Sequence, residues 1–242
     1  MSAHPSSCAI AITGARSGIG AAIAIALARP GAVLALVGRD EASLQATADA
    51  CRERGAVAEC FAADLSRSAE LAALVARIQE SCGPIHTLIN NAGLFLEASI
   101  LDGDMEAWDR ALDVNLKAAI HLTRHALPTM PDGGAAVFIA SSASRKAYAG
   151  GTNYCAAKFG LLGFAGALFE DVRERGIKVC SILPGVVDTD MHAGDGGLDP
   201  GKMIQPEDVA SAVVFALSMP ARTCPTEIAL QPQRAPKIRA PR

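Results

Sequence analysis

Aromatic side chains are scarce in this chain of 242 residues: seven Phe, two Tyr and one Trp, or 4%. A core built from it must rest on Ala, Val, Ile and Leu, and each tyrosine is worth locating. Charged residues are also few, at 19%, while hydrophobic residues reach 50%. That balance excludes a disordered chain, which needs low hydrophobicity and high charge. Long apolar runs are missing. Gly or charge interrupts each one before the roughly 18 residues a membrane helix requires. The N-terminus lacks a basic segment followed by an apolar run and a cleavage site. The five histidines show no metal-ligand spacing, and the seven cysteines include no C-x-x-C pair. An odd number of thiols in apolar contexts reads as buried cysteines in a reducing compartment, so a cytoplasmic location is expected.

The formal charge is −3 and is unevenly spread. Residues 234–242 carry Arg234, Lys237, Arg239 and Arg242 with no acid, so the body is more acidic than the total. An acidic body argues against nucleic acid as a partner, because phosphate binding needs clustered Lys and Arg. The basic tail is expected to be flexible.

Short apolar runs alternate with helix-length segments. The runs fall at 8–12, 33–37, 57–62, 87–89, 135–140, 178–183 and 227–230. Apolar on both faces, they read as strands of a sheet covered on both sides. The helical patterns include 18–29, 40–54, 68–82, 105–129 and 153–175. The alternation predicts an α/β fold, a doubly wound parallel sheet of Rossmann type, in one domain over 1–242. Ligands of such sheets lie beyond the carboxyl ends of the strands. The segments to inspect are therefore 13–20, 38–40, 63–65, 90–94, 141–154 and 184–192.

After the first strand comes Thr13-Gly14-Ala15-Arg16-Ser17-Gly18-Ile19-Gly20. Gly14, Gly18 and Gly20 permit a tight turn and close backbone approach, and the helix that follows offers free N–H groups to a phosphate. This is the setting of a dinucleotide site, with Gly14, Arg16, Ser17, Gly18, Ile19 and Gly20 around it. The second strand ends in Gly38-Arg39-Asp40. An Arg there suits a 2′-phosphate, which favours NADP(H) over NAD(H). The other reading of these two residues is a solvated Arg39 and a helix-capping Asp40. Asp64 and Leu65 follow the third strand, where the carboxylate can accept from adenine or cap the next helix. Asn90-Asn91-Ala92-Gly93 follows the fourth. Asn91, Ala92 and Gly93 bring small and amide groups to the same edge.

Ser141 ends the fifth strand, and Tyr154 and Lys158 lie four apart at the start of a helix, on one face. A free phenol is a poor base at neutral pH. A nearby ammonium lowers its pKa and readies it to move a proton. A hydroxyl such as that of Ser141 can bind a carbonyl oxygen as charge develops on it.

Taken in order, these segments resemble the short-chain dehydrogenase/reductase family, of the short single-domain type. The matching residues are Thr13-Gly14-x-x-x-Gly18-Ile19-Gly20, Asp64, Asn90-Asn91-Ala92-Gly93, Asn115, Ser141, Tyr154-x-x-x-Lys158 and Pro184-Gly185. The resemblance implies an oxidoreductase that moves a hydride between NADP(H) and a carbonyl or secondary alcohol. It implies Tyr154 as general acid/base, Lys158 lowering the Tyr154 pKa and binding the nicotinamide ribose, and Ser141 orienting the carbonyl. Asn115 would break its helix and anchor a water. Pro184, Gly185, Val187 and Thr189 would hold the nicotinamide, Asn91 would lie near the ribose, and Asp64 near the adenine. The family's usual Ser-to-Tyr spacing selects Ser141 over Ser142. Ser144 stands where the family often has Gly, and Ser17 where NADP-preferring members often carry a base. NAD(H) use, or a catalytically silent NADP(H)-binding sensor or scaffold, are the alternatives.

The resemblance places a substrate lid at 191–204. Leu94, Phe95, Tyr148, Cys155 and His192 are candidate pocket walls, though ordinary packing or a solvated loop is the favoured reading of each. Ala156, Ala157, Gly160, Gly163 and Gly166 give the 153–175 helix a small face, and in the family this helix builds oligomers. A homodimer or homotetramer is expected. The substrate is not named by these residues: 3-oxoacyl thioesters, small hydroxy acids and cyclic or steroid ketones all remain candidates.

Overall fold

The computed structural model describes residues 8–101, 103–192 and 197–236. Seven strands form one sheet in the order β3-β2-β1-β4-β5-β6-β7. They are β1 (Ala9–Thr13), β2 (Val33–Gly38), β3 (Val57–Ala62), β4 (Ile85–Asn90), β5 (Ala135–Ile139), β6 (Lys178–Pro184) and β7 (Glu227–Leu230). Every pairing is parallel. β4 begins earlier than the apolar pattern suggests, at Ile85, and its pairing with β1 shifts register at His86, the residue that interrupts the pattern.

Helices cover both faces. One layer holds α1 (Gly18–Leu27), α2 (Gln45–Glu53) and α7 (Pro206–Ser218). Its core includes Ile12, Ile23, Leu34, Leu36, Ile89, Ile182 and Val213. The other layer holds α3 (Leu71–Cys82), α4 (Met105–Leu112), α5 (Ala118–Ala126) and α6 (Thr152–Val172). Its core includes Ala11, Val37, Leu74, Ile78, Leu88, Leu122, Phe138 and Leu161. β5 is buried along its full length, as two covered faces require. Small Ala residues let the helices approach the sheet closely, which is how so few aromatics suffice.

Two expected helices differ in detail. The 40–54 segment starts late because the Asp40 carboxylate accepts the Ser43 N–H at 2.8 Å, giving a tight turn before α2. The 105–129 segment is not one α-helix. Between α4 and α5 lies a π-helical turn, Asp113–Lys117, with Asn115 buried in it. At the C-terminal end, the Asp199 N–H donates to the Pro236 carbonyl at 2.7 Å. The basic tail expected from 234 therefore lies against this turn as far as Pro236, and residues 237–242 fall outside the described set.

Candidate active site

The sheet order reverses between β1 and β4, which opens a crevice at their carboxyl ends. Thr13, the last residue of β1, closes that crevice from below. Its hydroxyl accepts the N–H groups of Asn91 and Ala92, each at 3.0 Å, and donates to the Ile89 carbonyl at 3.3 Å. Asn91 returns the contact, since its Nδ2 donates to the carbonyls of Thr13 at 2.9 Å and Gly14 at 3.3 Å. The Asn91 amide thus braces the glycine loop. The sequence pattern contains Thr13 without revealing this role. Its signal was a lone hydroxyl at the end of an apolar strand.

Gly14 has φ +67° and Gly18 has φ +55°, the left-handed region that side chains disfavour. Gly20 is required for space, because a Cβ there would lie 2.2 Å from the Gly14 carbonyl oxygen. The start of α1 then faces outward. Ser17 occupies its N-cap with extended backbone, yet its side chain caps no N–H. The first-turn N–H groups are left for an external acceptor.

Lys158 and Tyr154 project from the first two turns of α6, and Ser141 follows β5. Tyr154 is buried and hydrogen-bonded with the Ser141 side chain. Ser141 in turn accepts the Ala143 N–H at 3.1 Å, which fixes the short turn after the strand. The Lys158 ammonium is buried, donates to the Ile139 carbonyl at 2.9 Å, and stands 5.7 Å from the centroid of the Tyr154 ring. Burial pushes the Lys158 pKa down to about 8. Burial also pushes the Tyr154 phenol up, against the opposing pull of the Ser141 hydrogen bond. The Lys158 ammonium itself is directed at the Ile139 carbonyl.

Asn115 meets the same crevice from the π turn. Its Oδ1 accepts the Leu94 N–H and its Nδ2 donates to the Leu94 carbonyl, both at 2.8 Å. Its side chain clamps the loop after β4. A Cβ on Gly93 would approach Asn115 Oδ1 to 3.0 Å and Lys158 Nζ to 3.9 Å, so Gly93 lies between these two groups.

A sequence model described as short chain dehydrogenase matches residues 8–196. An uncharacterized oxidoreductase of Staphylococcus saprophyticus is 35% identical over 224 residues, covering 91% of this chain and 95% of that one. A metagenomic short-chain oxidoreductase solved in complex with NADP superposes with a TM-score of 0.81 at 30% identity, covering 94% of this chain and 98% of that one. An alcohol dehydrogenase from Thermococcus sibiricus, complexed with 5-hydroxy-NADP, gives a TM-score of 0.86 at 26% identity, covering 96% and 99%. The chain belongs to the short-chain dehydrogenase family. It is an oxidoreductase of that family with a Rossmann-like sheet.

The remaining candidates of this family member fall at the same edge. Gly185 follows β6 and donates its N–H to the Leu230 carbonyl at 2.8 Å. Val187 is buried and bridges to Ile204. The Thr189 methyl would lie 3.0 Å from a Cβ on Gly18, so the segment after β6 rests on the glycine loop. Arg39 is exposed beside the β2 end. The Asp64 Oδ1 accepts from the Ser66 N–H at 3.0 Å and the Ser66 hydroxyl at 2.7 Å, which hold its carboxyl below the usual range. Arg110 stands 3.7 Å from its other oxygen. Leu65 is buried.

Among the pocket candidates, Phe95 packs edge-on against Tyr154, with centroids 5.2 Å apart at 81°. Cys155 is buried beside it. Tyr148 is half-exposed, with its ring against Gly151. The Leu94 backbone is the one clamped by Asn115. The His192 side chain, and residues 193–196 of the expected lid, lie outside what is described. Asn153, adjacent to Tyr154, was missed by sequence reasoning. Its buried Nδ2 donates to the Trp108 carbonyl at 3.0 Å and ties the start of α6 to α4. Nothing in the sequence distinguishes it from a surface Asn at a helix start.

Proposed function

We propose that this family member transfers a hydride between NADP(H) and a carbonyl or secondary alcohol, with Tyr154 as general acid/base. The observation that carries the reading is the Ser141–Tyr154 hydrogen bond beside a buried Lys158, at the strand edge that also holds the uncapped start of α1. The α1 N–H groups, with Gly14, Arg16, Ser17, Gly18, Ile19 and Gly20, would hold the pyrophosphate. Asp64, Leu65, Asn91, Ala92, Gly93, Pro184, Gly185, Val187 and Thr189 would line the rest of the nucleotide site. The bound nucleotide supplies or accepts the hydride. Ser141 would orient the carbonyl oxygen, and Tyr154 would give that oxygen a proton in reduction and remove one in oxidation. Lys158 would hold positive charge behind Tyr154 and bind the nicotinamide ribose. Asn115 would position the 93–95 turn against both.

Arg39 supports the NADP(H) reading. It is exposed and free to turn toward a 2′-phosphate, while the Asp40 carboxylate is taken up by Ser43. The NADP and 5-hydroxy-NADP bound to the two structural relatives agree with it. Tyr154→Phe should abolish NADPH consumption over a panel of ketones while sparing NADPH binding. Near-normal turnover of that variant would refute the mechanism. Arg39→Asp should reverse the ratio of dissociation constants for NADPH and NADH.

A cytoplasmic setting fits the seven free thiols among the described residues, none of which is paired. No described helix is long and apolar enough to cross a membrane. Self-association through α6 is part of the same proposal. A Cβ on Gly163 or Gly166 would meet nothing within 4 Å, and Phe159 is exposed beside them. A monomer by light scattering at micromolar concentration would overturn it.

A further inference from the structure

Asp190, six residues beyond the end of β6, reaches back to the glycine loop. Its Oδ2 accepts the Ser17 hydroxyl at 3.2 Å and lies 3.3 Å from Arg16 Nη2. These are contacts across 173 and 174 positions of sequence, so the fold brings them together. Ser17 also leaves α1 uncapped. An N-cap Ser normally accepts an N–H from the first turn, whereas here its hydroxyl donates outward to a carboxylate. A hydroxyl and a guanidinium converging on one oxyanion at a helix start form the donor set that a phosphate oxygen requires. Thr189, packed over Gly18, holds Asp190 in reach.

We propose that Asp190 is an internal anion that occupies the phosphate donors of the glycine loop and competes with the nucleotide for them. Its carboxylate stands in for a phosphate oxygen until a nucleotide displaces it. Displacement releases Arg16 and Ser17 to the nucleotide and frees the 188–192 segment from the loop. Asp190 then sets how tightly the nucleotide binds. This rests on the nucleotide site proposed above.

The test is Asp190→Asn in the full chain. The amide keeps an acceptor for Ser17 and removes the charge. Calorimetric titration with NADPH and with NADH, in the absence of substrate, should give about twofold to fivefold tighter binding, the range expected for one exposed ion pair. Tightening confined to NADPH assigns the displaced contact to the 2′-phosphate, and equal tightening assigns it to the pyrophosphate. Unchanged or weaker binding would overturn the proposal, because Asp190 would then be positioning Arg16 for the nucleotide. Amide exchange at 188–192 in the nucleotide-free protein should also be faster in the variant, and unchanged exchange there counts equally against it. A wild-type chain that binds neither nucleotide, while exchange still responds to the variant, would instead refute the nucleotide site itself.

Discussion

Lys158→Met isolates the stability cost of keeping an ammonium inside this fold. Lys158 is buried, and its hydrogen bond goes to a neutral carbonyl, that of Ile139. Burial lowers its pKa from 10.5 to about 8, a difference equivalent to about 3 kcal/mol. The sign follows from proton counts. Between about 8 and 10.5 the folded chain holds the neutral amine while the unfolded chain holds ammonium. The unfolded state then binds more protons, so stability rises with pH through that window and is lost again as pH falls toward 8. Urea unfolding of wild type and Lys158→Met at pH 7 and pH 10 tests this. The wild-type stability minus that of the variant should increase by about 2 kcal/mol across the interval. The buried thiols of Cys82 and Cys180, pushed up to about 12, act in the opposite direction at alkaline pH, but both proteins share them and they cancel. A difference that stays flat, or falls with pH, would show that Lys158 is solvated or paired in solution and that the desolvation argument fails.

Gly20→Ala should distort the glycine loop, because its methyl would lie 2.2 Å from the Gly14 oxygen. A loss of about 1–3 kcal/mol is expected from such overpacking, with nucleotide affinity falling in a binding titration. Thr13→Val removes the acceptor for two N–H groups and should cost about 2–4 kcal/mol in urea unfolding, with Thr13→Ser restoring most of it. Ser144→Ala should be neutral or stabilising by about 1 kcal/mol, because its buried hydroxyl has no partner in the structure, and thermal unfolding would detect the gain.

The sheet was legible because strands covered on both faces are short, continuous and apolar, as in β2 and β5. The candidate site was legible where side-chain type dictates chemistry, as with Gly14, Gly18, Gly20, Tyr154 and Lys158. Where a polar side chain can serve either ligand or backbone, sequence could not choose. Asn91, Asp64 and Asn115 all bond the chain itself, to the glycine loop, Ser66 and Leu94. The roles of Thr13 and Asn153 were hidden for the same reason, since their partners lie 78 and 45 positions away. The direction of the Tyr154 shift was also hidden. It depends on how deeply the ring is enclosed, and Phe95, which helps enclose it, comes from another loop.

The π turn at Asp113–Lys117 has a geometric consequence for the whole α4–α5 rod. One extra residue in a helical turn rotates everything downstream by about 100° relative to an uninterrupted α-helix. α4 before the turn packs against the start of α6, where the Trp108 carbonyl accepts from Asn153, whereas Leu122 and Ala126 after it lie in the core with α3 and the sheet. A single helix with one apolar stripe could not serve both directions over so short a length. The wide turn therefore works as a phase shifter between two packing interfaces, and Asn115 sits at the point where the phase changes.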